Sequence, residues 1–202
     1  MSTAMSYQPK AEEIKALREE TSAPMMDCRK ALVDAAGDVA KAKALLLERG
    51  AAQAAKKAER TANEGLVASY VHPGGKIGVL VEVNSETDFV ARSPKFAELS
   101  RDIAMHVAAM SPQYLDRESV PAGVVEAARA EFRGAVPPNK PPEVAEKIVE
   151  GKLNKWYEEH CLLDQAFVKD DSMSVADVIN AAVGALGEKI RVRRFAKFAL
   201  GE

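Results

Sequence analysis

Histidine, cysteine and paired acids are the residues of this chain whose types could bind a metal or do acid–base and nucleophilic work. His72, His106 and His160 lie far apart in different predicted elements. None shows the HExxH spacing that sets two imidazoles on one helix face. Cys28 and Cys161 form neither a metal motif nor a disulfide framework, so the expectation is two reduced thiols in the cytosol. Glu158-Glu159 and Asp170-Asp171 are acidic pairs of the kind that usually stand in solvent. There is no GxxxxGK[ST] phosphate loop, no GxGxxG after a strand and no GxSxG elbow. Gly74-Gly75 is a hairpin turn too short to cradle a phosphate. The residue types therefore point to a protein that binds something, not one that makes or breaks covalent bonds. No catalytic residue, metal site or cofactor is expected.

Two stretches carry binding chemistry instead. In KIGVLVEVNSETDFVARS, residues 76–93, Ile77, Val79, Val81 and Val83 alternate with Gly78, Leu80 and Glu82, the pattern of a half-buried strand. Asn84 to Asp88 stop that strand. Ser93-Pro94 opens the next helix, with serine suited to the N-cap and proline to the first turn. Thr87-Asp88-Phe89-Val90 thus sits at the rim of a sheet, between two rigid elements. Phe89 is either a tip that reaches a partner or a core residue beside an Asp88 that caps a helical turn. The general burial of large apolar side chains favours the second reading. The other stretch is IRVRRFAKFAL, residues 190–200. Arg191, Arg193, Arg194 and Lys197, interleaved with Phe195 and Phe198, could stack bases and hold phosphates. The outer charged face of an edge strand is the plainer reading.

The elements that must position these stretches follow from periodicity. Residues 1–9 read as a loose, flexible N-terminus. Ile14 and Leu17, then Met25, Cys28 and Leu32, then Val39, Ala42, Leu45 and Leu46 make three short apolar stripes. They predict a three-helix module over 10–53, with Gly50 as the residue closing the third helix. Alanine-rich 54–64 reads as a helical linker, its Lys56, Lys57 and Arg60 a solvated basic face. Residues 65–202 form the core. Leu66–Val71 and the strand from Lys76 make a hairpin around His72-Pro73-Gly74-Gly75. Phe96, Leu99, Ile103, Val107 and Met110 line one helix; further helices follow over 120–134, from Pro141-Pro142 to about His160, and through Val175–Leu186. In the closing strand Ile190 and Val192 share a face with Ala196, Phe198 and Leu200, with a break of alternation at Arg194-Phe195. The fold class is α+β: a small antiparallel sheet with helices packed on it.

Composition bounds the function. The chain has 202 residues, 47% of them hydrophobic and 29% charged, and a formal net charge of −2. It is long enough for one large or two small domains. The charge balance gives no bulk attraction to nucleic acid or to anionic lipid. No apolar run is long enough to span a bilayer and the start shows no signal-peptide pattern. A cytoplasmic protein without nucleic-acid or membrane partners is expected.

Taken in order, LREETSAPMMDCRKAL (17–32), GDVAKAKALLLERG (37–50), EVNSETDFVAR (82–92), KIVEGKLNKW (147–156) and IRVRRFAKF (190–198) resemble the signatures of bacterial translation elongation factor Ts. That family is the nucleotide exchange factor of the GTPase elongation factor Tu. The resemblance spans nearly the whole chain after residue 9. It implies that the N-terminal module is ubiquitin-associated-like. It implies that Thr87, Asp88, Phe89 and Val90 are the exchange element, which reverses the core reading of Phe89. In this family the element dislodges Mg²⁺ from the partner so that GDP leaves. The resemblance also implies partner contacts at Arg18, Met25, Met26, Arg29 and His72. Long members carry two core halves, whereas this chain has room for one; it resembles a compact form in which a homodimer supplies the second. The rival readings are an adaptor of the ribosome or nascent chain, using the helical module, and an RNA-binding protein using the last strand.

Overall fold

The computed structural model describes residues 7–202. The loose N-terminus expected over 1–9 falls mostly outside them; Tyr7, inside them, donates its hydroxyl to Glu13 at 2.7 Å. The chain opens with three helices, α1 (Ala11–Thr21), α2 (Met25–Asp34) and α3 (Val39–Lys57). Strands β1 (Glu64–Val71) and β2 (Ile77–Ser85) follow, then a single turn α4 (Asp88–Ala91) and helices α5 (Pro94–Met110), α6 (Ala122–Gly134) and α7 (Pro142–His160). A small pair, β3 (Ala166–Phe167) and β4 (Asp170–Ser174), precedes α8 (Val175–Leu186) and the closing strand β5 (Arg191–Ala199). The class is α+β, as the sequence indicates. The strands order as β1-β2-β5, with β3-β4 apart. Leu200 bonds back to Lys76 while Arg193 meets Glu82, so β5 runs antiparallel to β2.

The chain divides into two compact units, each assembled from separated segments. The first takes the N-terminal segment through Ala68 with Val81–Asp102 and Asp177–Arg193. The second takes Ser69–Leu80, Ile103–Ala176 and Arg194–Glu202.

In the first unit the three N-terminal helices close on Leu17, Cys28, Ala31, Leu32 and Ala42, with Ile14, Leu45 and Leu46 packed at the margin. Each boundary has a local cause. Ser22 turns to a left-handed φ of 55° and ends α1, and Asp38 caps α3 by accepting the Lys41 amide at 3.1 Å. Two expectations fail here. Met25 and Val39 stand on the predicted stripes but are exposed. Gly50 does not end α3; the helix runs on to Lys57. The reason for glycine there is tertiary: a Cβ on Gly50 would lie 2.8 Å from the Asn180 carbonyl oxygen of α8. Gly65 answers a similar constraint in β1, where its φ is +141° and a Cβ would meet the Val83 carbonyl oxygen at 2.1 Å.

In the second unit Ile103, Val107, Val149, Leu153 and Leu162 are buried. Met110, expected on the same stripe of α5, is exposed as the helix ends. His106 lies inside this core. Its Nδ1 accepts the Val168 amide at 3.1 Å and its Nε2–H donates to the Gln165 amide oxygen at 2.9 Å, so the neutral Nε2–H tautomer is fully used. Outside, Arg129 pairs with Glu146 and Glu150 across α6 and α7.

The closing strand departs from the simple period. Ile190 and Val192 are buried, but Arg193 and Arg194 are both exposed. Beyond them the parity is inverted: Phe195 and Lys197 are half-buried, whereas Phe198 is 71% and Leu200 81% exposed. A one-residue slip exchanges the faces of everything after it. The burial expected for one shared face is therefore not found: Ile190 and Val192 are buried, whereas Ala196, Phe198 and Leu200 are exposed.

Candidate functional site

Residues 84–94 turn the end of β2 into a projecting tip. Asn84 and Ser85 are buried, and Ser85 Oγ donates to the Thr87 carbonyl at 3.0 Å. Thr87, extended at φ −126°, caps α4 by accepting the Val90 amide at 3.4 Å. The cap is thus Thr87, not Asp88. Val90 and Ala91 face inward and are buried, which anchors the single turn. Phe89, on its other side, is 83% exposed. Asp88 makes an exposed ion pair with Arg92 at 2.8 Å, and Ser93 Oγ accepts the Phe96 amide at 3.3 Å to start α5. Asp88, Phe89, Arg92, Ser93 and Pro94 surround an open depression.

A second set of contacts reaches the tip from far along the chain. The Glu188 carboxylate accepts the Glu86 amide at 3.1 Å, the Thr87 amide at 3.0 Å and the Thr87 hydroxyl at 2.6 Å. Glu86 in turn accepts the Lys189 amide at 2.6 Å. That amide first, with smaller help from Arg60 and Lys57, holds the Glu86 carboxyl below the usual carboxylate range. The Lys189 ammonium donates to the Arg60 carbonyl at 2.8 Å and to the Ala58 carbonyl, just past α3. Sequence reasoning missed Glu188 and Lys189. They sit in a loop with no periodicity, and nothing local marks their pairing with residues 86 and 87.

Arg18 on α1 and Met25, Met26 and Arg29 on α2 are all exposed in the same unit as the tip, the two methionines by 49% and 67%. Lys95, in the first turn of α5, donates to the Ser22 carbonyl that ends α1 at 3.5 Å. His72 belongs to the second unit. It stands at the exposed turn of the β1–β2 hairpin with its Nδ1 3.1 Å from the Tyr70 hydroxyl.

Both thiols are free and buried; burial raises the pKa of Cys28 and pushes Cys161 up to about 11. Among the described residues no cluster of His, Cys, Asp and Glu could hold a metal ion, and no helix is long and apolar enough to cross a membrane.

A braced apolar tip on an α+β scaffold, with exposed methionines in the same unit, is the form of a protein that works by docking. The family described as Elongation factor TS matches residues 9–202. The elongation factor Ts of Anaeromyxobacter sp. (strain Fw109-5) is 56% identical over 196 residues, 95% of this chain and 88% of that protein. Those of Koribacter versatilis and Thermosipho melanesiensis are 52% and 53% identical over 193 residues, covering 95% of this chain and 88% and 98% of theirs. The chain belongs to the elongation factor Ts family, and is a translation elongation factor of protein biosynthesis.

Proposed function

We propose that the chain is the guanine nucleotide exchange factor of elongation factor Tu, acting through the Thr87–Val90 tip, and is not an enzyme. The observation that carries this reading is Phe89, a large apolar side chain left 83% exposed on a turn whose neighbours Val90 and Ala91 are buried. Phe89 enters the GTPase domain beside the nucleotide site. Asp88, one residue away, brings a carboxylate that perturbs the network around the partner's Mg²⁺. Without Mg²⁺ the GDP phosphates are poorly neutralised, and GDP leaves.

Burying one phenylalanine contributes roughly 1.5–3 kcal/mol. At about 1.4 kcal/mol per tenfold, that weakens nucleotide binding by roughly one to two decades. The remaining coupling comes from docking through Arg18, Met25, Met26 and Arg29, and through His72 on a further part of the partner. Coupling is reciprocal: GTP weakens factor binding as the factor weakens nucleotide binding, and the cycle closes.

The active form is a cytoplasmic homodimer. Val71, Leu80 and Phe198 are exposed on consecutive strands of the β1-β2-β5 sheet, an apolar surface that a second copy covers.

Stopped-flow release of fluorescent GDP from elongation factor Tu tests the tip. Phe89→Ala and Asp88→Ala slow release; full activity of Phe89→Ala removes the wedge from the mechanism.

A further inference from the structure

We infer that Glu188 is the positioning residue of the exchange element, setting through Thr87 the direction in which Asp88 and Phe89 project. The inference rests on the exchange role proposed above. One carboxylate takes two successive backbone amides and the Thr87 hydroxyl, at 3.1, 3.0 and 2.6 Å. Hydrogen bonds to an ionised acceptor are roughly twice as strong as neutral ones. Together they restrain the backbone at residues 86 and 87 and the side-chain rotamer of Thr87.

Thr87 is the residue on which α4 is built. Its hydroxyl receives the Val90 amide, and its carbonyl receives the Ala91 amide at 3.2 Å and the Ser85 hydroxyl at 3.0 Å. A turn of four residues has too few internal bonds to hold its own axis. Whatever orients Thr87 therefore orients Phe89. Lys189 extends the same brace. Its amide holds Glu86, and its ammonium holds the Ala58 and Arg60 carbonyls. The Glu188-Lys189 dipeptide thus joins the exchange tip to the segment leaving α3. Binding energy drives nucleotide release only if the wedge does not yield, so a loosened tip docks yet releases GDP slowly.

The test is Glu188→Ala in the full chain, read as the limiting rate of GDP release at saturating factor and as the half-saturating concentration. The limiting rate falls roughly tenfold, the equivalent of about 1.4 kcal/mol of barrier. The half-saturating concentration stays within about threefold. Glu188→Gln, which keeps an acceptor oxygen and the side-chain shape, restores most of the rate. Amide hydrogen exchange quickens at residues 86 and 87 but not in the middle of β2. Thr87→Val, which removes the hydroxyl that both donates to Glu188 and accepts the Val90 amide, slows release in the same direction and guards against a Glu188→Ala chain that fails to fold. An unchanged limiting rate in Glu188→Ala, with Phe89→Ala slow, overturns the positioning role alone. Loss of protection throughout the unit, with both kinetic constants worsened in proportion, overturns it in favour of a structural role. If Phe89→Ala is itself silent, the wedge leaves the mechanism and takes this inference with it.

Discussion

Phe89 and His106 represent opposite treatments of a large side chain. Phe89 makes little of the native core, so its truncation leaves stability within about 0.5 kcal/mol, as for most surface substitutions. Thermal melting of Phe89→Ala alongside the GDP-release assay separates lost function from lost fold. His106 is buried and neutral. Burial lowers its pKa, partly opposed by the bond to Gln165, and protonation would set an Nδ1–H against the Val168 amide. The unfolded chain binds a proton at about pH 6.5, the folded chain only at lower pH. Stability is therefore complete above that value and falls as pH drops through the window between the two. The carboxyls of Glu13, Glu86 and Glu146 have lowered pKa values, and their effect enters only below the ordinary carboxylate range of about 4.3. Melting temperatures between pH 7.5 and 5 will show a decline that is shallower in His106→Gln.

Helix α3 carries the test at the scale of the element. Alanine at a helical glycine ordinarily adds about 0.5–1 kcal/mol of stability. At Gly50 the sign reverses, because the new methyl meets a backbone carbonyl of α8 rather than a yielding side chain. Gly50→Ala destabilises by about 1–3 kcal/mol, the range for overpacked sites, measured by urea unfolding. Gly151 in α7 is the control. Nothing lies within 4 Å of a Cβ there, so Gly151→Ala leaves stability equal or higher. A Gly50→Ala chain as stable as the parent would show that α3 and α8 do not approach as described.

For the whole molecule the proposed homodimer makes a prediction about the exposed apolar side chains of the β1-β2-β5 sheet. Phe198, 71% exposed on β5, next to the β2 strand that carries the exposed Leu80, is the side chain to change. With the proposed homodimer as the starting state, Phe198→Glu preserves the folded chain and shifts it to monomer, as read by light scattering at micromolar concentration. In the proposed mechanism it also lowers affinity for elongation factor Tu more than the limiting rate of GDP release. A parent chain that is monomeric and still exchanges nucleotide at full rate removes the dimer from the mechanism.

Local periodicity and local chemistry are legible in the sequence. The stripes Ile14-Leu17 and Cys28-Leu32 place helices, the Val79-Val81-Val83 alternation places the central strand, and Ser93-Pro94 starts α5. Phe89 is legible as a candidate tip, but the general burial of large apolar side chains favours the core, and only the family signature points outward. Tertiary structure decided whatever depends on residues distant in the chain. Gly50 reads as a helix end until α8 lies against it. Phe198 shares the predicted face of Ile190 and Val192, yet it is exposed where they are buried. The short β3–β4 pair is too brief to show a period. Glu188 has no local mark at all, because its meaning is a hydrogen bond to Thr87, 101 positions earlier. Hydrophobic pattern is a property of neighbours in sequence; close approach and hydrogen-bond partnership arise only when the chain has closed on itself.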